Sequence, residues 1–132
     1  MTVYPSRTLS VSIDREWREV YDFASIPENF QRWAAGLGRR FEKSGEEWLA
    51  EDPDGRAIRI RFSPPNAFGV LDHIVALGAD EILIAMRVVP NGTGAEVMLT
   101  ILQLPGTTEE RFAADAAAVE RDLMALKRLL ER

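Results

Sequence analysis

The sequence predicts an α+β fold: a curved antiparallel sheet of about six or seven strands around a long C-terminal helix, with two short helices after the first strand. Three observations carry this. Residues 107–131 place Phe112, Ala116, Val119, Leu123, Leu126 and Leu130 at alternating steps of four and three, one continuous apolar stripe along a helix. Residues 40–104 alternate apolar and polar side chains between clusters of Gly, Pro, Asn and Asp, as antiparallel strands do. Between the first alternating segment and that meander lie two helical patterns split by Pro27.

Residues 8–13 set Leu9, Val11 and Ile13 against Ser10 and Ser12, a half-buried strand. Asp14 is the expected N-cap of a helix whose face is Trp17, Val20, Tyr21 and Ala24. Pro27 disfavours helical geometry at Ile26, so a second helix follows, with Phe30, Trp33, Ala34 and Leu37 at helical spacing and Gly36 or Gly38 closing it. Strands at 40–43 and 47–51 flank Ser44-Gly45, and Asp52-Pro53-Asp54-Gly55 turns the chain. Strand 56–63 puts Ile58, Ile60 and Phe62 on one face and Arg59 and Arg61 on the other, a solvated face. Pro64-Pro65-Asn66 leads to strand 69–76, Gly78-Ala79 to strand 81–89, and the Asn91-Gly92 hairpin signal to strand 94–104. Pro105-Gly106 ends the sheet, and Thr107 with Glu110 forms a capping box for the last helix. That helix is roughly 35 Å long and needs an apolar partner. The concave side of the sheet supplies one, and room left between them is the physical basis of a ligand pocket.

Composition narrows the function. The 132 residues suit one domain, 1–132. A net charge of −5 argues against nucleic acid or an anionic membrane as the main partner. With no cysteine and one histidine, disulfides, a thiolate nucleophile and Cys- or His-rich metal sites are excluded, so no metal and no cofactor are expected. The carboxylates at Glu46-Glu47 and Glu51-Asp52 suit a solvated turn. The N-terminus lacks a signal-peptide pattern and no apolar run reaches the length of a membrane span. The expectation is a cytoplasmic protein, monomeric or homodimeric.

Two-residue loops at Gly78-Ala79 and Asn91-Gly92 fix a register. They put His73 opposite Ile84, Leu71 opposite Met86, Met86 opposite Val97 and Arg87 opposite Glu96. Leu71, His73, Ile84, Met86 and Leu99 then share the concave face. Asp72, Arg87 and Glu96 share the convex one, because burying that trio costs several kcal/mol per ion. His73 becomes the one titratable group of an apolar wall. It is either a polar anchor or general acid/base in a cavity, or a core histidine satisfied by a backbone carbonyl or water. Trp17 and Trp33 sit on the apolar faces of the helix pair, and Trp33 or Tyr21 suits a pocket mouth. The candidate ligand-binding residues are Tyr21, Trp33, Leu71, His73, Ile84, Met86, Leu99 and Leu123, and the candidate catalytic residue is His73.

The element order, with Ser12-Ile13-Asp14-Arg15-Glu16-Trp17 running on to Phe23 and then Pro27-Glu28-Asn29-Phe30-Gln31-Arg32-Trp33, resembles the START-like (SRPBCC, polyketide-cyclase) superfamily. Phe68-Gly69-Val70-Leu71-Asp72-His73 and Arg87-Val88-Val89-Pro90-Asn91-Gly92 are similar to a bacterial branch of it. The resemblance spans nearly the whole chain and implies the helix-grip fold of the birch-pollen allergens. The superfamily includes lipid carriers, aromatase/cyclases, hydroxylase subunits and chaperone activators, and it has no shared catalytic motif to carry over. The function this implies is binding of a small hydrophobic molecule, aromatic or lipid-like. Alternatives are a cofactor-free cyclase or dehydratase using His73 with Tyr21, and a protein-interaction module that modulates a partner.

Overall fold

A computed structural model of the chain describes residues 1–35, 40–52 and 54–132. The elements follow in the order β1 (Ser6–Ile13), α1 (Trp17–Ala24), α2 (Pro27–Trp33), β2 (Phe41–Ser44), β3 (Glu47–Glu51), β4 (Ala57–Phe62), β5 (His73–Leu77), β6 (Asp80–Asn91), β7 (Gly94–Leu102) and α3 (Glu109–Leu130). The strands form one seven-stranded antiparallel sheet ordered β1-β7-β6-β5-β4-β3-β2. Strands β2 to β7 are a meander, and β1 returns beside β7. This is the α+β helix-grip architecture that the sequence predicts.

Period-two alternation decides which face is core. Leu9, Val11 and Ile13 of β1, Ile58 and Ile60 of β4, and Ala95, Val97, Leu99 and Ile101 of β7 are buried. Arg59 and Arg61 point outward and pair with Glu47 and Glu81; such exposed pairs contribute little stability. The α3 stripe buries Ala116, Leu123 and Leu126, and the helix packs on β1, β7 and α2. Its C-terminal end is fastened to the end of β1: Lys127 Nζ donates to the Ser12 carbonyl at 2.7 Å, and the Asp14 N–H donates to Glu131 Oε2 at 2.8 Å.

Both predicted caps fall at other residues. The N-cap of α3 is Thr108, whose hydroxyl accepts from the Arg111 N–H at 3.0 Å. Thr107 is consumed by the preceding turn, its N–H bonded to the Leu104 carbonyl at 3.0 Å. Glu16, not Asp14, caps α1, with its carboxylate accepting from the Arg18 and Glu19 N–H groups. Helix α2 ends at Trp33. The expected contribution of Leu37, closure by Gly36 or Gly38, and Pro53 of the expected turn lie outside the described residues.

The β5–β6 register is the predicted one, with Leu77 opposite Asp80 and His73 opposite Ile84. The β6–β7 register is not. Asn91 pairs with Gly94, so the turn is Gly92-Thr93, and Arg87 faces Met98 while Met86 faces Leu99. The predicted Arg87–Glu96 pair is therefore absent. A turn centred on Asn91-Gly92 of the favoured I′ type needs positive φ at both residues, whereas among the described residues positive φ is confined to glycine. These two hairpins instead have Gly at the first central position, Gly78 at φ 62° and Gly92 at φ 59°, as a II′ turn requires. The slip is two residues, so every side chain keeps its predicted face.

Leu123 is 1% exposed and joins α3 to the sheet core. Leu123→Ala is expected to cost about 2–5 kcal/mol, read as a lowered denaturation midpoint; an unchanged midpoint would place the stripe on a surface that does not carry the fold.

Candidate functional site

The site begins with a break in one strand. The Leu71 N–H donates to the Met86 carbonyl at 2.9 Å, but the Met86 N–H donates to Asp72 Oδ1 at 2.8 Å. The Asp72 carboxylate thus takes the place of the Leu71 carbonyl in the ladder. That carbonyl meets His73 Nδ1 at 3.1 Å instead. A carbonyl only accepts, so Nδ1 carries the proton and Nε2 of the neutral ring is the acceptor. No described residue forms a hydrogen bond to Nε2.

The loop before the break is held by Asn66. Its side chain accepts from the Phe68 and Val70 N–H groups and donates to the Pro64 and Val70 carbonyls, while its own N–H donates to the Tyr21 hydroxyl at 2.8 Å. Gly69 has φ 72°, and a Cβ there would sit 2.1 Å from the Val88 carbonyl oxygen, so only glycine permits this approach to β6.

Between sheet and helices lies a cavity of about 150 Å³. Helix α2 contributes Phe30 and Trp33, and its C-cap Ala34; the sheet contributes His73, Ile84, Leu99 and Ile101; α3 contributes Val119, Asp122 and Leu123. Phe30 organises the aromatic side, meeting Trp33, Phe62 and His73 edge-on at centroid distances of 4.9, 5.2 and 5.4 Å. A recess of about 10 Å³ shares Phe30, Trp33 and His73 and adds Leu71 and Met86. A wider groove of about 480 Å³ on the far side of β4 and β5, with Glu46, Arg61 and Asp72 in its walls, is open and charged.

Three polar groups belong to the cavity wall. His73 is 6% exposed. Burial pushes its pKa below the usual 6.5, with the Leu71 carbonyl and the Asp72 charge opposing. Asp122 accepts from the Ala35 N–H at 3.1 Å. Burial pushes its carboxyl above the usual 3.8, opposed by that hydrogen bond and by Arg121. Trp33 is 4% exposed, and its indole Nε1 has no hydrogen-bond partner among the described residues. An unmet buried donor costs about 1–3 kcal/mol.

Of the residues singled out from sequence, Trp33, His73, Ile84, Leu99 and Leu123 line the main cavity, and Leu71 and Met86 line the recess. Tyr21 lines neither; its hydroxyl is taken by the Asn66 loop. Asp72 and Arg87 are paired on the convex face. Glu96 stands apart, accepting from Ser12 Oγ at 2.6 Å and Asn91 Nδ2 at 2.9 Å, and the Ser12 hydrogen bond leads in holding its carboxyl below the usual range. Asp122 escaped the sequence reading. Its signal was its position three residues after Val119 and four before Leu126, which places a carboxylate on the flank of the apolar stripe.

No protein-family model matches the sequence, and no curated protein matches it. Solved structures match over almost the whole chain. The Aha1 dimer from Colwellia psychrerythraea superposes with a TM-score of 0.75 at 13% identity, over 96% of each chain. A START superfamily protein from Mycobacterium smegmatis gives 0.72 at 11% identity, over 96% of this chain and 97% of that one. DynU16, from the dynemicin biosynthetic locus, gives 0.72 at 16% identity; the match covers 96% of this chain and 47% of that longer one. The likeness is one of fold, the START-like helix grip. No helix among the described residues is long and apolar enough to cross a membrane.

The two titratable groups of the wall predict opposite pH responses. The lowered His73 pKa means that its contribution is fully present above the unfolded value near 6.5 and is lost as pH falls towards the folded value. Denaturation across that window should show a slope that His73→Leu removes; equal slopes would mean that the ring is not desolvated. The raised Asp122 pKa means that stability is lost as pH rises through the folded value. Asp122→Asn retains an acceptor for the Ala35 N–H. It should be more stable than the parent at neutral pH, with the gain vanishing in acid below the usual carboxylate value; a gain that ignores pH would assign it to packing.

Proposed function

We propose that this chain binds a small, largely apolar molecule, aromatic or lipid-like, in the cavity enclosed by the sheet, α2 and α3. The observation that carries the reading is the cavity itself: about 150 Å³ between sheet and helices, walled mainly by aromatic and aliphatic side chains. The walls match the usual chemistry of a small-molecule site, apolar lining with a few placed polar groups. A structural neighbour from a biosynthetic locus and another of the START superfamily fit the same reading. It is one of a cytoplasmic protein, monomeric or homodimeric; the Colwellia neighbour is a dimer.

A second reading, a cofactor-free cyclase or dehydratase, is favoured by one observation. His73 and Asp122 share the cavity wall, and burial favours the neutral form of each, so a proton acceptor and a carboxyl of raised pKa face one space. Here His73 would receive a proton at Nε2. Turnover lost in both His73→Leu and Asp122→Asn, with binding retained, separates the enzyme from the carrier.

Trp33 forms part of the wall, so a ligand entering it should change tryptophan emission in a saturable way, and Trp33→Phe should remove most of the change. Titration with single-ring, fused-ring and fatty-acyl compounds tests this, with native mass spectrometry of the purified protein for a retained ligand. No saturable response and no retained mass would sink the binding proposal.

A further inference from the structure

The cavity also states what it accepts. We infer that its ligand is a neutral single-ring molecule bearing one hydroxyl, of the phenol class, with the ring among Phe30, Leu99 and Leu123 and the oxygen at the edge shared by Trp33 and His73. This rests on the binding role proposed above and narrows it. Three independent properties of the wall lead there.

The first is size. At about 150 Å³ the cavity equals the engineered apolar cavity that takes benzene. One ring fills it; a long acyl chain or a fused-ring polyketide would leave much of its apolar surface beyond the walls.

The second is hydrogen bonding. His73 Nδ1 is committed to the Leu71 carbonyl at 3.1 Å, which leaves Nε2 as an acceptor. Trp33 Nε1 is a buried donor without a partner among the described residues. Both rings belong to the main cavity and to the recess, and both meet Phe30 edge-on. A ligand oxygen that donates to Nε2 and accepts from the indole N–H satisfies both. A hydroxyl does this; a carbonyl or ether only accepts, and a hydrocarbon leaves both unmet.

The third is charge. Among the described residues neither Lys nor Arg lines the cavity, and Asp122 contributes a carboxylate to the wall. An organic anion would lose its hydration without gaining a counter-charge, so the corresponding carboxylic acids are rejected in their ionised form.

The test is calorimetric titration of the full chain with p-cresol, toluene, benzoate and decanol. p-Cresol should bind about tenfold more tightly than toluene, the contribution of two neutral hydrogen bonds, and benzoate should show no saturable binding. His73→Leu and Trp33→Phe should each bring p-cresol close to toluene measured on the same variant; the second keeps an aromatic side chain while removing the N–H donor and widening the cavity, so it serves if the first fails to fold. Toluene binding as tightly as p-cresol, or benzoate binding at all comparably, overturns the phenol assignment. Saturable binding of decanol alone also overturns it, while leaving the apolar-binding role standing. Binding by none of the four, together with no response in the fluorescence titration, removes both.

Discussion

The geometry of the cavity depends on one hydrogen bond, from the Met86 N–H to the Asp72 carboxylate. In an unbroken ladder the Leu71 carbonyl would hold that N–H. Because a side chain does so instead, the strand called β5 starts only at His73, and the freed carbonyl becomes the anchor for the imidazole. Arg87 completes the arrangement from the convex side by pairing with the same carboxylate. One aspartate thus joins the two faces: its outer partner is a solvated arginine, and its inner consequence is the tautomer of a buried histidine. A carboxylate accepting from a backbone N–H and a guanidinium at once is strongly held, which gives the break in the ladder a fixed form.

The placement of α3 explains why a space remains at all. The helix is fastened at its C-terminal end to β1 through Lys127 and Glu131, and it lies along β1 and β7 rather than over the middle of the sheet. The inner face of β6 is met by α1, and that of β4 and β5 by the rings of α2, a helix of only seven residues. Two large rings, Phe30 and Trp33, cover part of that area. Rigid rings in edge-on contact cannot collapse into every gap, as flexible aliphatic side chains can. The hydrogen bond from the Ala35 N–H to Asp122 holds α2 and α3 together at the cavity. It also brings a carboxylate into a wall that the stripe pattern alone would make apolar.

Much of the fold was legible because its signals are periodic. Alternation at Leu9–Val11–Ile13 and Ile58–Ile60 and the four-three spacing through Leu123 and Leu126 each repeat over several residues, so a local error does not alter the assignment. The β6–β7 turn shows the limit. Asn91-Gly92 and Gly92-Thr93 are adjacent frames of one signal, and the choice depends on which residue bears positive φ. The resulting slip of two residues preserved the concave face but dissolved the expected Arg87–Glu96 pair. Caps were less legible, since Thr107 and Thr108, or Asp14 and Glu16, are chemically equivalent until tertiary contacts claim one. Tyr21 shows the same limit: an amphipathic pattern places its ring on the buried side of α1 but says nothing of the loop that takes its hydroxyl. Asp122 was the least legible, because whether a polar residue beside an apolar stripe is solvated or enclosed depends on how closely the next element approaches.

Fixed backbone partners hold the polar groups of the cavity wall in place. Leu71 fixes the orientation of His73, and Ala35 fixes that of Asp122, so neither side chain must be ordered when a ligand arrives. Side-chain ordering costs about 0.5–1.5 kcal/mol per group in binding, and a prearranged wall avoids much of it. The desolvation of His73 keeps it neutral, hence an acceptor, at neutral pH. Were it charged, its second N–H would make the wall a donor site and an organic anion the better guest. The same burial that makes the histidine costly in acid therefore sets the polarity its ring offers to the cavity, and the Asp72 carboxylate, by taking the Met86 N–H in the β5–β6 ladder, frees the Leu71 carbonyl that holds the ring.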